Sequence, residues 1–319
     1  MKPFTTQHET AVAAYGELRL IREIRRWLGD VSPQTPFGIG DDCAVIPPTR
    51  FHQLVTTDPV IFGRHFDDTV SPRDVGAKLL KRNLSDIAAM GGRPVAAVIA
   101  LALAPETDVA WLREFYRGLA ATARRYQVKI VGGDITQGPT GFLGAFLTLH
   151  GESAGRRVVT RSGAKAGDHL YVTGRLGGSL AGHHYNFKPR LSEGAWLANR
   201  TEVRAMMDVS DGLAKDLDSL TSPGLAPALL ASAVPVSVAA QRMAASSGRT
   251  ALHHALSDGE DYELLIVVRQ RAALASFERA WKRRFPKVPL SRVGNFVTKK
   301  HIPANALQMA GYRGYEHLR

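Results

Sequence analysis

The acids of this chain gather in short runs with glycine, serine and threonine. The runs are Gly40-Asp41-Asp42, Thr56-Thr57-Asp58, Asn83-Leu84-Ser85-Asp86, Gly132-Gly133-Asp134, Asp208-Val209-Ser210-Asp211-Gly212 and Gly259-Glu260-Asp261. Each follows or interrupts an apolar segment. Carboxylates, hydroxyls and carbonyls are hard oxygen ligands, the set that suits Mg2+. The chain as a whole is basic, with 41 Lys and Arg against 29 Asp and Glu and a formal net charge of +12. Acids concentrated this way in a basic protein point to metal ions held against a polyanion.

Taken singly, each run has a plainer reading. Ser210 is placed to cap a helix carrying Leu213, Leu217 and Leu220, and Asp211 in its first turn suits the helix dipole. That cap leaves Asp208 unexplained, because two carboxylates at one helix mouth need a cation or a proton between them. Gly132-Gly133-Asp134 reads either as a turn that lets backbone N–H groups approach a ligand or as an ordinary strand-to-loop turn. Asp41 and Asp42 are adjacent, so on a strand they point apart. Asn83 and Asp86 share one helix face among apolar neighbours, where an unpaired aspartate is costly. Lys78 precedes Asp86 by two turns and is expected to point elsewhere. His65 lies in a loop-like run, and Glu260-Asp261 also reads as a turn before a strand. P-loop, protein-kinase, zinc-protease and nucleophile-elbow motifs are missing.

These runs need elements to position them. Leu20, Ile21, Ile24, Trp27 and Leu28 recur at helical spacing and Gly29 is a C-cap candidate. Leu54 to Asp58 reads as a strand ending in polar ligands. Ser71-Pro72-Arg73-Asp74 is a helix start whose stripe continues through Val75, Leu79, Leu84 and Ile87 to Gly91-Gly92. Ala96–Leu103, Val128–Val131, Phe142–Leu149, Leu170–Thr173 and Tyr262–Val268 read as strands, and Trp111, Leu112, Phe115 and Leu119 mark a helix. No assignment follows for Ser222–Ser247. At 319 residues, two mixed α/β domains are expected, 1–155 and 156–319.

Cys43 is the single cysteine, so no intrachain disulfide forms and a reducing compartment is expected. The N-terminus lacks the apolar core of a secretory signal. The most apolar stretch, Ile87 to Leu103, is broken by Gly91-Gly92-Arg93-Pro94 and cannot span a bilayer. A soluble cytoplasmic protein is expected. The basic residues are scattered and not interleaved with aromatics, so nucleic acid is not an expected partner.

In this order the runs resemble the thiamine-monophosphate kinase family, within the ATP-binding superfamily of aminoimidazole-ribonucleotide synthetase and selenophosphate synthetase. Further matching segments are Gly63-Arg64-His65-Phe66, Thr160-Arg161-Ser162-Gly163 and Glu260-Asp261-Tyr262-Glu263-Leu264-Leu265. The resemblance implies a two-domain α/β fold whose N-terminal half forms a β-barrel across a homodimer, with a C-terminal α/β domain. It implies transfer of the γ-phosphate of ATP to thiamine monophosphate, giving thiamine diphosphate. It implies several Mg2+ ions on Asp42, Thr56, Thr57, Asp58, Asp86, Asp134, Asp208 and Asp211. Nucleotide contacts follow from Gly133, Asp134, Arg161, Ser210 and Tyr116, and substrate contacts from His65, Glu260, Tyr312 and Tyr315. Asp211, Asp58 and Arg161 are the implied catalytic group. Arg64 and Asp258 depart from the usual pattern beside substrate positions. The alternatives are a superfamily member with another phosphorylated acceptor and a non-catalytic nucleotide- or RNA-binding homologue.

Overall fold

Of the first apolar stripe, Leu20, Ile24 and Leu28 are buried and Ile21 and Trp27 half-buried on a helix, Glu17–Leu28 (α2), closed by Gly29 at positive φ. It follows a short turn of helix, Val12–Tyr15 (α1). The computed structural model describes residues 1–35, 37–39, 43–155 and 157–316. It divides into a first unit, Met1–Ile87 with Arg93–Glu152, and a second, Ala88–Gly92 with Ser153–Arg319.

In the first unit come Gln53–Ile61 (β1), Pro72–Ala89 (α3), Gly92–Leu103 (β2), Val109–Tyr126 (α4), Lys129–Gln137 (β3) and Leu143–Ser153 (β4). The strands form a sheet in the order β1-β4-β2-β3, with β1 antiparallel to β4 and β2 parallel to β3. Helix α3 begins as its sequence indicates: the Asp74 N–H donates to Ser71 Oγ at 3.2 Å and the Ser71 hydroxyl returns to Asp74 Oδ2 at 2.7 Å. Helices α3 and α4 cross closely at glycines. A Cβ on Gly76 would lie 2.0 Å from the Phe115 carbonyl, and one on Gly118 2.0 Å from that of Arg73. Phe62, Phe66, Trp111, Phe115 and Tyr116 form a chain of ring contacts, with centroids 5.4–5.9 Å apart. Each such pair contributes about 0.5–1.5 kcal/mol beyond the area it buries. The chain runs from the turn after β1 to the middle of α4.

The second unit holds His169–Thr173 (β5), His183–Asn186 (α5), Leu191–Ala198 (α6), Val203–Asp208 (β6), Leu213–Leu220 (α7), Leu225–Leu229 (β7), Val238–Ser247 (α8), Ala251–Ser257 (α9), Leu264–Val268 (β8), Leu274–Arg284 (α10) and Leu290–Thr298 (β9). The sheet order is β6-β8-β5-β9-β7, every neighbouring pair antiparallel. Both faces are covered. Leu170, Val172, Leu265 and Val267 pack with Leu213, Leu217 and Leu256 on one side. Tyr171, Leu264, Ile266 and Val268 pack with Leu197, Phe277 and Trp281 on the other. This explains why β8 is a continuous apolar run rather than an alternating one.

Three local expectations are corrected. Gly132-Gly133-Asp134 is not a turn, because β3 runs through it to Gln137 in register with Val98, Ile99 and Ala100. The strand expected from Tyr262 starts at Leu264, because Glu260 and Tyr262 both have left-handed φ, +54° and +52°. The unassigned stretch from Ser222 folds into β7, a 3-10 turn and α8.

Candidate functional site

Strand β1 and helix α3 build the first part of the site. Alternation along β1 turns Thr56 and Asp58 toward α3 and Thr57 to the other face. The Thr56 hydroxyl donates to Asp86 Oδ2 at 2.5 Å. Arg82 donates to the Pro59 carbonyl at 2.8 Å and approaches Asp58 Oδ1 at 3.5 Å. Thr57 instead meets the Thr148 hydroxyl of β4 at 3.3 Å. The geometry therefore joins Thr56 to Asp86, puts Asp58 on the same face of β1 beside Arg82, and turns the Thr57 side chain to the other face. Lys78 does not pair with Asp86; its ammonium donates to the His65 carbonyl at 2.8 Å.

A cavity of about 250 Å3 opens in the same unit, lined by Ile24, Leu28, Ile99, Tyr116, Gly133 and Asp134 among others. Its walls are apolar, with backbone and one carboxylate at the β3 side. Gly133 is required by packing, since a Cβ there would sit 2.1 Å from the Ile99 carbonyl. Burial raises the Tyr116 hydroxyl above its usual range, so it stays protonated. Gly133, Asp134 and Tyr116 are thus gathered at one cavity. The apolar lining from α2 was not foreseen, because the same residues satisfy an ordinary helix stripe. Asp42 lies outside the described residues.

In the second unit, β6 ends in Asp208, which is buried. Ser210 does not cap α7: the residue before the helix is Gly212, and no side chain caps it. The cap-like acceptor is Asp216 instead, whose Oδ2 takes the N–H groups of Ser210 and Asp211 at 3.0 and 3.1 Å. Burial, then the nearby charges of Asp208 and Asp211, push the Asp216 carboxyl up to about 8, against the pull of those two N–H donors. Asp216 was missed because only its spacing from Asp211, five residues on, marks it. Lys215 pairs with Asp211 at 2.8 Å.

The run containing Glu260 is held from several sides. The Glu260 N–H donates to the Ser210 carbonyl at 2.7 Å, and the Tyr262 hydroxyl donates to Glu260 Oε1 at 3.2 Å. Asp258 accepts the Gly178 N–H at 2.9 Å and pairs with His254 at 2.9 Å. Glu263 is clamped by Arg190 and by the Thr173 hydroxyl. Tyr315 donates its N–H to the Asp211 carbonyl at 2.9 Å, and its side chain is exposed. Tyr312 packs half-buried against the core, 5.5 Å from the His253 ring. Arg161 is exposed on the segment before β5.

Among the described residues, no three His, Cys, Asp or Glu side chains form a group able to cage a metal ion. Mg2+ takes one or two carboxylates and completes its shell with water and substrate phosphates. Thr56, Asp58 and Asp86 offer hard oxygens of that kind.

The model of the family described as AIR synthase related protein, N-terminal domain, matches residues 40–152. A thiamine-monophosphate kinase of Rhodopirellula baltica is 38% identical over 301 residues, covering 89% of this chain and 92% of that protein. The crystal structure of thiamine-monophosphate kinase from Stenotrophomonas maltophilia K279a superposes with a TM-score of 0.71 at 30% identity, covering 90% of this chain and 96% of that one. A structure of AaThiL complexed with AMPPCP and TMP superposes with a TM-score of 0.72 at 27% identity, covering 96% and 98%. With this identity over nearly its full length, the chain belongs to the thiamine-monophosphate kinase family.

Proposed function

We propose that the chain transfers the γ-phosphoryl group of ATP to thiamine monophosphate, releasing thiamine diphosphate and ADP. The observation that carries this is the 38% identity across 89% of the chain to a thiamine-monophosphate kinase. The apolar cavity at Tyr116 and Gly133 takes the adenine, and Asp134 stands at its rim. Thr56, Asp58 and Asp86, with Asp42, would hold Mg2+ in the first unit, and Asp208 and Asp211 would do so in the second. Bound there, Mg2+ supplies cancellation of charge between two anionic phosphate groups. The chain's own residues bind and align: phosphoryl transfer needs positioning more than covalent chemistry, and an acceptor phosphate oxygen is already ionised, so no strong general base is required. Arg161 offers a planar fork for phosphate. His65 and Glu260 contact the phosphate acceptor, and Tyr312 or Tyr315 offers a ring face to the thiazolium cation, worth ~0.5–2 kcal/mol.

The molecule acts as a homodimer joined through the first unit's sheet. Supporting this, the face of that sheet turned away from α3 exposes Val55 at 70%, Val98 at 39% and Phe146 at 37%, a set of apolar side chains that invites cover. Among the described residues no helix is long and apolar enough to cross a membrane.

The test is direct. Purified protein is mixed with Mg-ATP and thiamine monophosphate, and the products are separated by chromatography. Equimolar thiamine diphosphate and ADP are expected. ADP without thiamine diphosphate would reassign the acceptor.

A further inference from the structure

Helix α3 carries a fully buried lysine that the proposed chemistry does not use. Lys78 is 0% exposed, and its helix neighbours Val75, Leu79 and Leu80 are apolar and equally buried. Packing alone is served by an apolar side chain of similar length, since burying an ammonium is costly unless it is well bonded. Among its contacts, the ammonium donates a hydrogen bond to the backbone carbonyl of His65, 2.8 Å away.

We propose that Lys78 is a positioning residue for the phosphate acceptor, acting through His65; this rests on the reading that His65 contacts thiamine monophosphate. His65 is anchored at three of its atoms. Its N–H donates to the Ile61 carbonyl at 2.9 Å, and its carbonyl takes the Lys78 ammonium. Its ring Nδ1 accepts the Ile61 N–H at 3.1 Å. The turn is closed again by the Gly63 N–H donating to the Phe66 carbonyl at 2.9 Å. With Nδ1 acting as acceptor, the neutral ring carries its proton on Nε2. The ring therefore presents an N–H donor, the correct polarity for a phosphate oxygen. Lys78 fixes the peptide from which this donor projects. The same face of α3 reaches β1 one turn later through Arg82 and two turns later through Asp86. One helix face thus holds the acceptor contact at one end and the proposed metal ligand at the other.

The experiment measures KM for each substrate in Lys78→Met, Lys78→Gln, His65→Gln and the Lys78→Met/His65→Gln double variant of the full chain. Lys78→Met is expected to raise KM for thiamine monophosphate about tenfold, with KM for ATP within about twofold and kcat little changed. Lys78→Gln, which keeps a donor, recovers part of the loss and serves if the Met variant does not fold. The double variant is expected to lose no more than the worse single one, because both act on one contact. Histidine-selective 15N NMR of the intact protein is expected to show His65 as the Nε2–H tautomer, with averaging in Lys78→Met.

An Nδ1–H tautomer in the wild type overturns the proposal. So does a folded Lys78→Met with unchanged KM for thiamine monophosphate beside a raised one in His65→Gln. An unchanged KM in His65→Gln removes the substrate role of His65 itself.

Discussion

The acids of the two units are satisfied in opposite ways. In the first, Asp86 takes the Thr56 hydroxyl and Asp58 lies 3.5 Å from the Arg82 guanidinium. Asp86 thus has a neutral neighbour and Asp58 a cationic one. In the second, Asp208 and Asp211 are close enough to Asp216 to push its carboxyl upward, and Lys215 offsets part of the charge at Asp211. One unit holds its ligands ready; the other stores repulsion that a cation relieves. Loss of a ligand should therefore act on turnover in both units, while loss of an orienting neighbour should matter chiefly in the first.

The largest effect is expected at the ligands. Asp211→Asn and Asp86→Asn should each lower kcat at least ~100-fold with the fold intact by circular dichroism. Near-normal turnover in either would remove that residue from the metal set. Next comes Thr56→Val, which leaves Asp86 without its hydroxyl donor. The Mg2+ concentration for half-maximal rate should rise about fivefold to tenfold, roughly the worth of one ordinary hydrogen bond. The matching change on the opposite face, Thr57→Val, should move that concentration less than about twofold. Equal effects at the two threonines would contradict the assignment of faces on β1.

Arg82→Met tests the orienting cation. Asp58 loses a positive neighbour and should attract a divalent ion more strongly. Mn2+ binding, followed by electron paramagnetic resonance, should tighten about threefold, and the gain should vanish in an Asp58→Asn background. Unchanged or weaker binding would show that Arg82 does not compete for Asp58.

How far the sequence disclosed this arrangement differs by kind of signal. Local rules served well: the Ser71–Asp74 capping box, the Gly29 stop and the stripes of α2, α3 and α4 all depend on neighbours within one or two turns. Signals that depend on distant partners were misread. Gly132-Gly133 looks like a turn until Ile99 is known to lie against it, and then the glycines serve close strand packing. Ser210 has the right type for a cap, but Gly212 takes the position and Asp216 receives the N–H groups instead. The acid runs named Asp58, Asp86 and Asp208 directly. Arg82 and Lys78 carry meaning only once β1 is placed over α3, and no spacing within α3 reveals that.

The smallest effect separates a structural acid from a ligand. Asp261 in the second unit is 1% exposed. Its Oδ1 accepts the Gly177 N–H at 2.7 Å, while Oδ2 is buried without a hydrogen-bond partner. Burial raises its carboxyl well above the usual range, with further upward pushes from Glu263, Asp258 and Asp216, against the Gly177 N–H. The folded protein thus holds a proton that the unfolded chain releases near the ordinary aspartate value of about 3.9. Stability from this group is fully present below that value and is lost as pH rises toward the folded pKa. Asp261→Asn keeps the acceptor for Gly177 and carries no charge at any pH. It should therefore match the wild type near pH 4 and exceed it in melting temperature by at least about 2 °C at pH 8. Equal melting temperatures across that range would mean that Asp261 is ionised in the fold, and that the second unit tolerates a further buried charge beside Glu263.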